Sequence, residues 1–371
     1  MGNIHINSLN IETYRGIKNL KLDGFTGINI LTGDNNCGKT SVLELLQVSG
    51  DPASPIVWSS LGRTEKYPNP TRTVFEKIRD LYDFTSPKLR IAYSITDDLN
   101  GFSEVEIKGN IEKIKTSRLE YCKEAHVECE KGQEYSEAEM IKLKSDIYYN
   151  GKLVEDRFEV FNVTRFDGFV ENVVKPYKKY EALYISPTVY QAECPMIKEV
   201  FDNTTVFKDL VEILRIFDED IITITPTVRE YDIPFPMKNS FQILSEKYGK
   251  AVPLSVYGDG IKKALWIVTA VVAAKNGVLL IDEFETAIHT SAMDKIFAWI
   301  LKTCKKLNVQ LFMTTHSKEA LQKVISLDSD PELKDEITLF TLYRRDGKNI
   351  ARRLSAERAI EADENFNQEL R

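Results

Sequence analysis

One glycine-rich segment limits the possible folds of this chain more than any other feature of its sequence. Its eight residues fit the pattern G-x-x-x-x-G-K-[ST], and they are Gly33, Asp34, Asn35, Asn36, Cys37, Gly38, Lys39 and Thr40. The apolar segment Ile28–Leu31 before them predicts a buried strand, and the residues after them predict a helix. A strand, a glycine-rich loop and a helix in this order predict an α/β fold that holds a phosphate group.

The residue types in this loop suit the phosphates of a nucleotide. The two glycines allow backbone N–H groups to curl around phosphate oxygens at the start of the helix. Lys39 is placed to reach the β and γ phosphates, and Thr40, followed by Ser41, is placed to hold magnesium through its hydroxyl. An ordinary glycine turn before a helix is the alternative. The agreement between the motif and its flanking elements favours the phosphate loop.

A second apolar strand provides the carboxylates that such a loop needs. The segment Val278–Ile281 is followed at once by Asp282 and Glu283. We expect Asp282 to bind magnesium and Glu283 to act as the general base that polarises the attacking water. A strand that ends in acidic residues is a weak signal alone, because the edge of a sheet often carries carboxylates. The phosphate loop earlier in the chain strengthens it.

Two shorter segments lie on either side of that strand. The residues before the preceding helix predict a second phosphate cradle, with a plain helix cap as the alternative, and they are Ser255, Gly258, Asp259 and Gly260. The sequence TTHS, which contains His316, follows the next predicted strand. A histidine there can donate a hydrogen bond to the γ phosphate. A lone histidine is more often structural. The functional interpretation of His316 is favoured because TTHS follows the glycine-rich loop, the second cradle and the Asp282 strand in a characteristic order.

The remaining sequence predicts the elements that surround this site. In the last third of the chain strands alternate with helices, which is typical of a parallel sheet. Residues 88–180 show short alternating runs that predict an antiparallel subdomain within a single domain spanning 1–371. The segment 111–145 carries 7 Lys+Arg and 8 Asp+Glu with few large apolar residues. This composition predicts a small, solvated helical hairpin inserted in the subdomain.

Composition excludes several classes of protein. The chain has 49 Lys+Arg against 56 Asp+Glu, so nucleic acid is not indicated by charge and would need a local basic patch. Five scattered cysteines indicate reduced thiols and a cytoplasmic protein, and the spacing of Cys122, His126 and Cys129 lacks the fourth ligand of a zinc site. The longest apolar run, Ala264–Ala274, has 11 residues. A bilayer span needs about 20, so we expect no membrane association.

The motifs GDNNCGKTS, GDGIKKAL, VLLIDEFETAIH and LFMTTHS, in this order, resemble those of the ABC-class ATPases. They are most similar to the stand-alone AAA family related to the ATPase part of overcoming-lysogenization-defect (OLD) proteins. The resemblance covers roughly residues 1–50 and 180–371. It implies an ABC-type P-loop ATPase head with a mixed parallel core sheet, with ATP and Mg²⁺ as cofactors. The sequence departs from the family at Thr286–Ile288, where Asn-Gly-Leu is usual, and offers no assignable lid-loop glutamine.

The resemblance also implies how the site is assembled. In this family the nucleotide lies between two protomers, so we expect a homodimer or a higher homo-oligomer. The segment that would act in trans on the partner's nucleotide consists of Ser255, Gly258, Asp259 and Gly260. Arg15 resembles the arginine of an N-terminal Phe-Arg-x-Phe element beside the nucleotide, with an exposed arginine in a turn as the alternative.

Function is expected at two levels from the same resemblance. It implies ATP binding and slow hydrolysis coupled to dimer closure, and this cycle would gate a separate effector protein, a nuclease or a toxin, in antiphage defence. The rival is a DNA-repair or chromosome-structuring ATPase of the RecF or SMC type. The missing heptad arms and a pI near 5.4 count against that rival. A transporter subunit ranks third, because the sequence has no LSGGQ-like signature.

Overall fold

A computed structural model describes residues 5–61, 73–82, 86–98, 101–117, 135–162, 169–171, 180–189, 200–226 and 241–360. At its centre is a six-stranded sheet, whose strands in spatial order are β16 (Lys348–Ser355), β15 (Ile337–Arg345), β3 (Ile28–Gly33), β14 (Gln310–Thr314), β13 (Val278–Ile281) and β9 (Ala182–Ile185). Five of them run parallel, and β16 is the antiparallel edge strand. The parallel strands all end at one edge, where the predicted site segments meet.

The two faces of this sheet contribute to two separate apolar cores. Along β13, Leu279 and Ile281 enter one core while Val278 and Leu280 enter the other. Three helices pack in the second core, the one that contains Val278 and Leu280, and they are α1 (Lys39–Val48), α2 (Pro55–Ser59) and α3 (Val74–Arg79). Four helices pack in the first, and they are α4 (Thr204–Arg215), α5 (Asp259–Ala273), α6 (Thr290–Lys306) and α7 (Lys318–Ser326). The central sheet is therefore covered on both sides, as its parallel strands require.

A second sheet of seven antiparallel strands faces α1 across the second core. Its strands in spatial order are β2 (Ile17–Asp23), β1 (Ile6–Tyr14), β4 (Lys88–Asp97), β5 (Phe102–Ser117), β6 (Tyr135–Tyr149), β7 (Lys152–Asn162) and β8 (Phe169–Glu171). The antiparallel sheet is thus confirmed, but it also takes in β1 and β2 from the N-terminal region. The mixed central sheet confirms the predicted α/β class.

The helical hairpin predicted over 111–145 is wrong in its described parts. Residues 111–117 belong to β5 and residues 135–145 belong to β6, and the two strands pair from Ser103↔Tyr149 to Ser117↔Tyr135. Ile141 and Leu143 are buried while Lys142 and Lys144 point away from the core. This period of two is a strand pattern, which the count of charges concealed. Residues 118–134, with the cysteine–histidine cluster, lie outside the described residues.

A small three-stranded antiparallel sheet completes the fold and leads into α5. Its strands are β10 (Ile221–Pro226), β11 (Phe241–Ser245) and β12 (Lys250–Pro253). The antiparallel pairing of β11 with β12 forms a tight hairpin. A short 3₁₀ turn, Leu254–Val256, then connects β12 to the start of α5. Across the described ranges, the helices are too short or too polar to cross a bilayer.

Candidate functional site

The carboxyl edge of the central sheet gathers three of the segments that the sequence analysis singled out, which follow β3, β13 and β14. The loop after β13 is tied to β9 because the backbone N–H of Asp282 donates to the Ile185 carbonyl at 2.9 Å. The loop after β14 is tied to β3 because the backbone N–H of Thr315 donates to the Leu31 carbonyl at 3.1 Å. Segments far apart in sequence are therefore fixed next to the glycine-rich loop.

Two glycines and a lysine define the shape of the phosphate loop. Gly33 has φ +132°, and a Cβ there would collide with the backbone carbonyl of Leu342 on the neighbouring strand β15. Gly38 has φ +107° and caps the start of α1 in a left-handed conformation. The ammonium of Lys39 donates to the carbonyls of Gly33 at 2.7 Å and of Asp34 at 2.9 Å. The lysine is thus held in the centre of the loop.

The carboxylate of Asp282 lies beside the phosphate loop and accepts from three hydroxyl groups. Its Oδ2 accepts from Thr40 at 3.0 Å and from Tyr184 at 2.9 Å. Its Oδ1 accepts from Thr314 at 2.5 Å. Asp282 is only 5% exposed, so these hydrogen bonds satisfy a buried carboxylate and fix its orientation toward Thr40.

Thr40 and Asp282 have the chemistry of a magnesium site. Both offer hard oxygen atoms, which Mg²⁺ prefers, and their side-chain oxygens lie 3.0 Å apart. Within the described part of the chain, no group of three or more His, Cys, Asp and Glu side chains could hold a metal ion without other ligands. An ion at Thr40 and Asp282 would therefore take most of its ligands from nucleotide phosphates and water, as Mg²⁺ commonly does.

His316 lies close to both Lys39 and Glu283. The Nδ1 atom of His316 lies 3.4 Å from the Lys39 ammonium, and its Nε2 atom lies 3.7 Å from Glu283 Oε1. The hydroxyl of Thr286 donates to Glu283 Oε2 at 3.3 Å. Glu283 has φ +45°, a conformation that is uncommon outside glycine and is often found at functional sites. The imidazole of His316 thus lies between the Lys39 ammonium and the Glu283 carboxylate.

Arg15 is anchored to the helix that follows the phosphate loop. Its Nε atom donates to the Tyr14 hydroxyl at 3.1 Å and lies 3.2 Å from the buried carboxylate of Glu44 on α1. The Tyr14 hydroxyl in turn donates to Glu44 at 2.9 Å. Burial, with the Glu44 charge beside it, raises the pKa of Tyr14, so the phenol keeps the proton that it donates. The arginine side chain is 19% exposed and is a tethered group, unlike a free arginine in a turn.

The phosphate loop, Arg15, Glu283 and His316 share one open cleft of about 620 Å³, and the buried Asp282 is not among the residues that line it. The cleft is lined by several residues that the sequence predicted for the site, namely Arg15, Asn35, Asn36, Gly38, Lys39, Thr40, Ser41, Glu283 and His316. Arg344 and Asn349, from the hairpin of β15 and β16, also line the cleft. The Asn349 amide donates to the Cys37 carbonyl at 3.5 Å and accepts from the Lys18 backbone N–H at 3.2 Å. The terminal hairpin is thus joined to the phosphate loop.

The segment expected to act in trans lies away from this cleft. Gly258 is the N-cap residue of α5, and both Gly258 and Ser255 are exposed. As far as the structure describes the chain, the residues that line the cleft do not include this segment. His289, near the expected dimer contact, caps α6 by accepting from the Ser291 backbone N–H at 3.3 Å. The segment is therefore a surface feature of the single chain.

Sequence reasoning missed several polar side chains that the structure places around the site. Thr314 and Tyr184 bind Asp282, and Glu285 binds the backbone of the His316 loop. Thr314 and Glu285 stand inside motifs that had been recognised, and their polar character at strand ends was the available signal. Tyr184 gave no such signal, because its role depends on the pairing of β9 with β13.

A phosphate loop at the carboxyl edge of a mixed sheet, opposed by acidic residues and a histidine, defines a P-loop ATPase head. Two families match this chain. The family described as "AAA ATPase domain" matches residues 5–183. The family described as "AAA domain, putative AbiEii toxin, Type IV TA system" matches residues 155–321. Each family model matches just under half of the chain, and together they span residues 5–321.

Known proteins agree with this class. An ATP/GTP phosphatase of Helicobacter pylori is 25% identical over 374 residues, which span 94% of this chain and 95% of that protein. The DNA replication and repair protein RecF of Bifidobacterium adolescentis is 35% identical over 89 residues, which span 24% of this chain and 22% of RecF. An Smc head solved with the C-winged helix domain of ScpA superposes with a TM-score of 0.52, at 11% identity, over 96% of this chain and 99% of that one. The last likeness supports the head fold.

Proposed function

We propose that the chain hydrolyses ATP with the help of Mg²⁺, at a site that closes between two protomers. One observation carries the proposal: His316 lies between the Lys39 ammonium, at 3.4 Å, and the Glu283 carboxylate, at 3.7 Å. A phosphate-binding cation, a hydrogen-bond donor and a general base thus converge from three separate loops. In an ATPase these are the groups that bind the γ phosphate and activate water.

The proposed reaction assigns a task to each group. Lys39 binds the β and γ phosphates, and His316 donates a hydrogen bond to the γ phosphate. Glu283 accepts a proton from a water molecule, whose oxygen forms the new bond to phosphorus while the bond to the ADP oxygen breaks. The products are ADP and inorganic phosphate. Arg15, tethered to Glu44, is placed at the same cleft for a contact with the nucleotide.

Magnesium belongs to this proposal through Thr40 and Asp282. The ion would supply positive charge that stabilises the phosphates as negative charge shifts to the leaving group. The protein's own contribution is to orient these ligands: the hydroxyls of Tyr184 and Thr314 hold Asp282, and Asp282 accepts the hydrogen bond of Thr40. We expect nucleotide turnover to be lost when EDTA removes the divalent ion and to return when Mg²⁺ is added.

Glu283→Gln tests the catalytic assignment. Removing the base should lower kcat by about 100-fold or more while ATP stays bound, because Asp282 and the phosphate loop are untouched. The measurements are steady-state phosphate release and calorimetric ATP binding. Glu104→Gln, an exposed glutamate on β5, is the matched control and should keep wild-type rates. Lys39→Ala should instead weaken ATP binding itself. Full turnover by the Glu283→Gln variant would refute the assignment.

The proposed biological role is to gate a separate effector protein, a nuclease or a toxin, in antiphage defence. The resemblance to OLD-related ATPases suggests this role, and the toxin–antitoxin name of the family matching residues 155–321 supports it. The test is co-expression with the product of the adjacent reading frame, followed by assays of nuclease activity and of cell growth. Effector activity should differ between the wild-type chain and Glu283→Gln. Equal activity with both would contradict gating.

A DNA-binding ATPase of the RecF or SMC type is the second candidate. The RecF relative favours it, and so does a set of exposed basic residues on β15 and β16, namely Arg344, Arg345, Lys348, Arg352 and Arg353. Duplex DNA binding should then be tighter for Glu283→Gln with ATP than without nucleotide. The affinity for DNA should fall as the salt concentration rises, because binding releases counterions from the DNA phosphates and this release is less favourable at high salt. Charge reversal at Arg352 without effect on DNA affinity would exclude this surface.

A further inference from the structure

Glu285 joins the loop that carries His316 to the loop that carries Glu283. Its Oε1 atom accepts from the backbone N–H of His316 at 2.9 Å and from that of Ser317 at 3.2 Å. Ser317 is also the N-cap of α7, where its hydroxyl accepts from the Ala320 backbone N–H at 3.1 Å. The Glu285 carboxylate therefore lies at the positive end of α7 and fixes the backbone on both sides of His316.

The His316 side chain has few other means of being held in place. It is 38% exposed, and its nearest polar contacts are Lys39 at 3.4 Å and Glu283 at 3.7 Å. Both contacts are longer than strong hydrogen bonds between charged groups. The position of the imidazole relative to Glu283 is therefore set mainly by the backbone, and that backbone is bonded to Glu285.

A buried lysine on α5 lies within the electrostatic range of the Glu285 carboxylate. Glu285 Oε2 is buried and, among the described residues, has no hydrogen-bond partner. Lys263 on α5 is fully buried, and its ammonium lies 3.4 Å from the Pro187 carbonyl. The charges that act on Lys263 most strongly come from Glu285, then Glu283 and Asp282. The negative charge of Glu285 thus acts on the buried ammonium of Lys263.

We propose that Glu285 is a positioning residue that holds His316 against Glu283. The inference rests on the proposed hydrolysis and adds a residue to it. A shift of about 1 Å at a reacting group can lower a rate on the order of 100-fold. Glu285 prevents such a shift of His316.

A double-mutant cycle between Glu285 and His316 tests the proposal. Glu285→Ala should lower kcat by about 10- to 100-fold with the Kd for ATP changed less than about 2-fold. Since Glu285 acts through His316, adding Glu285→Ala to His316→Ala should cost less than about 3-fold more. Losses that multiply in the double variant would overturn the proposal, and so would a Glu285→Ala variant with wild-type kcat.

Conservative variants separate positioning from chemistry. Glu285→Gln keeps an acceptor oxygen for the two backbone N–H groups, so it should retain kcat within about 5-fold of wild type. A Glu285→Gln variant as slow as Glu285→Ala would mean that the carboxylate takes part in proton transfer, which contradicts the proposal. If Glu285→Ala does not fold, Glu285→Asp takes its place in the cycle, because its shorter side chain cannot reach both N–H groups.

Two reference variants distinguish a failure of this inference from a failure of the proposed function. When Glu283→Gln and His316→Ala are both slow and Glu285→Ala is normal, only the inference fails. When Glu283→Gln and His316→Ala both turn over ATP at the wild-type rate, the proposed function fails and the inference fails with it. Thermal unfolding of each variant, measured by circular dichroism, shows that the comparisons are made between folded proteins.

Discussion

Lys263 shows at the scale of one residue what burial does to a charge. Its side chain is fully buried in α5, and this burial lowers its pKa to about 8 although Glu285, Glu283 and Asp282 act in the opposite direction. The ordinary pKa of such a lysine is 10.5. Between these two values the unfolded chain binds the proton more tightly than the folded chain does. The free energy of unfolding must therefore rise with pH across this window as far as Lys263 is concerned.

Replacing Lys263 with methionine should remove this dependence on pH. As pH rises from about 8 to 10.5, the free energy of unfolding of wild type should rise relative to that of Lys263→Met by on the order of 3 kcal/mol. Urea unfolding at a series of pH values measures it. Lys262→Met is the matched control, because Lys262 is partly exposed and pairs with Asp259 at 3.2 Å. Parallel stability curves for wild type and Lys263→Met would contradict the prediction.

The residues of the site differ in how far the sequence could predict them. Gly33, Lys39 and Thr40 belong to one short loop, so their spacing alone carries the geometry. The contact of Tyr184 with Asp282 depends instead on the register of β9 against β13, which no local pattern shows. The same holds for Glu285 and the backbone of His316, which lie on loops 31 residues apart. The sequence therefore predicts the residues that lie within one motif, whereas contacts between loops that are distant in sequence follow only from the three-dimensional fold.

At the scale of elements, regular periodicity was a better guide than charge. The buried strands β13 and β14 begin and end where the sequence predicted them. The segment 111–145 was misassigned because its charged residues were counted without regard to their alternation. Beyond Asn110, β5 has no partner in β4, and before Met140, β6 has no partner in β7. The end of this hairpin is therefore a two-stranded ribbon outside the main sheet.

Because a two-stranded ribbon contributes little stability on its own, it should be dispensable. Replacing residues 114–138 with Asn-Gly should change the free energy of unfolding by less than about 1 kcal/mol and leave ATP binding intact. Chemical unfolding and calorimetry measure the two quantities. A longer deletion of residues 105–147 is the control and should unfold the protein, since it removes the buried Val105, Ile107 and Ile147. Loss of stability from the short deletion would show that the ribbon packs on the body.

At the scale of the whole molecule, a site shared between protomers makes a specific prediction. A Cβ atom added at Gly258 would meet no atom within 4 Å beyond its two chain neighbours, so Gly258→Glu should fold normally and still bind ATP at its own loop. In a closed dimer the new carboxylate would face the partner's γ phosphate and prevent closure by like-charge repulsion. The Gly258→Glu variant should therefore be inactive alone.

Mixing Gly258→Glu with Lys39→Ala should restore activity. A heterodimer of the two variants has one composite pocket in which both halves are intact, so it should show about half of the wild-type rate per dimer. Size-exclusion chromatography with an activity assay on the mixture measures this. If heterodimers form and the mixture is as inactive as either variant, the segment does not act across the interface.

The position of β3 between β14 and β15 has a consequence for how the protein is made. Asn29 on β3 donates to the Leu311 carbonyl on β14 across 282 residues of sequence. A ribosome that adds about 5–20 residues per second needs on the order of tens of seconds to supply β14 after β3 has emerged. Throughout that interval the nascent chain carries an apolar strand without its neighbours and a phosphate loop without Asp282. The N-terminal motif therefore gains its binding site only near the end of translation, and chaperone protection would be needed most during that wait.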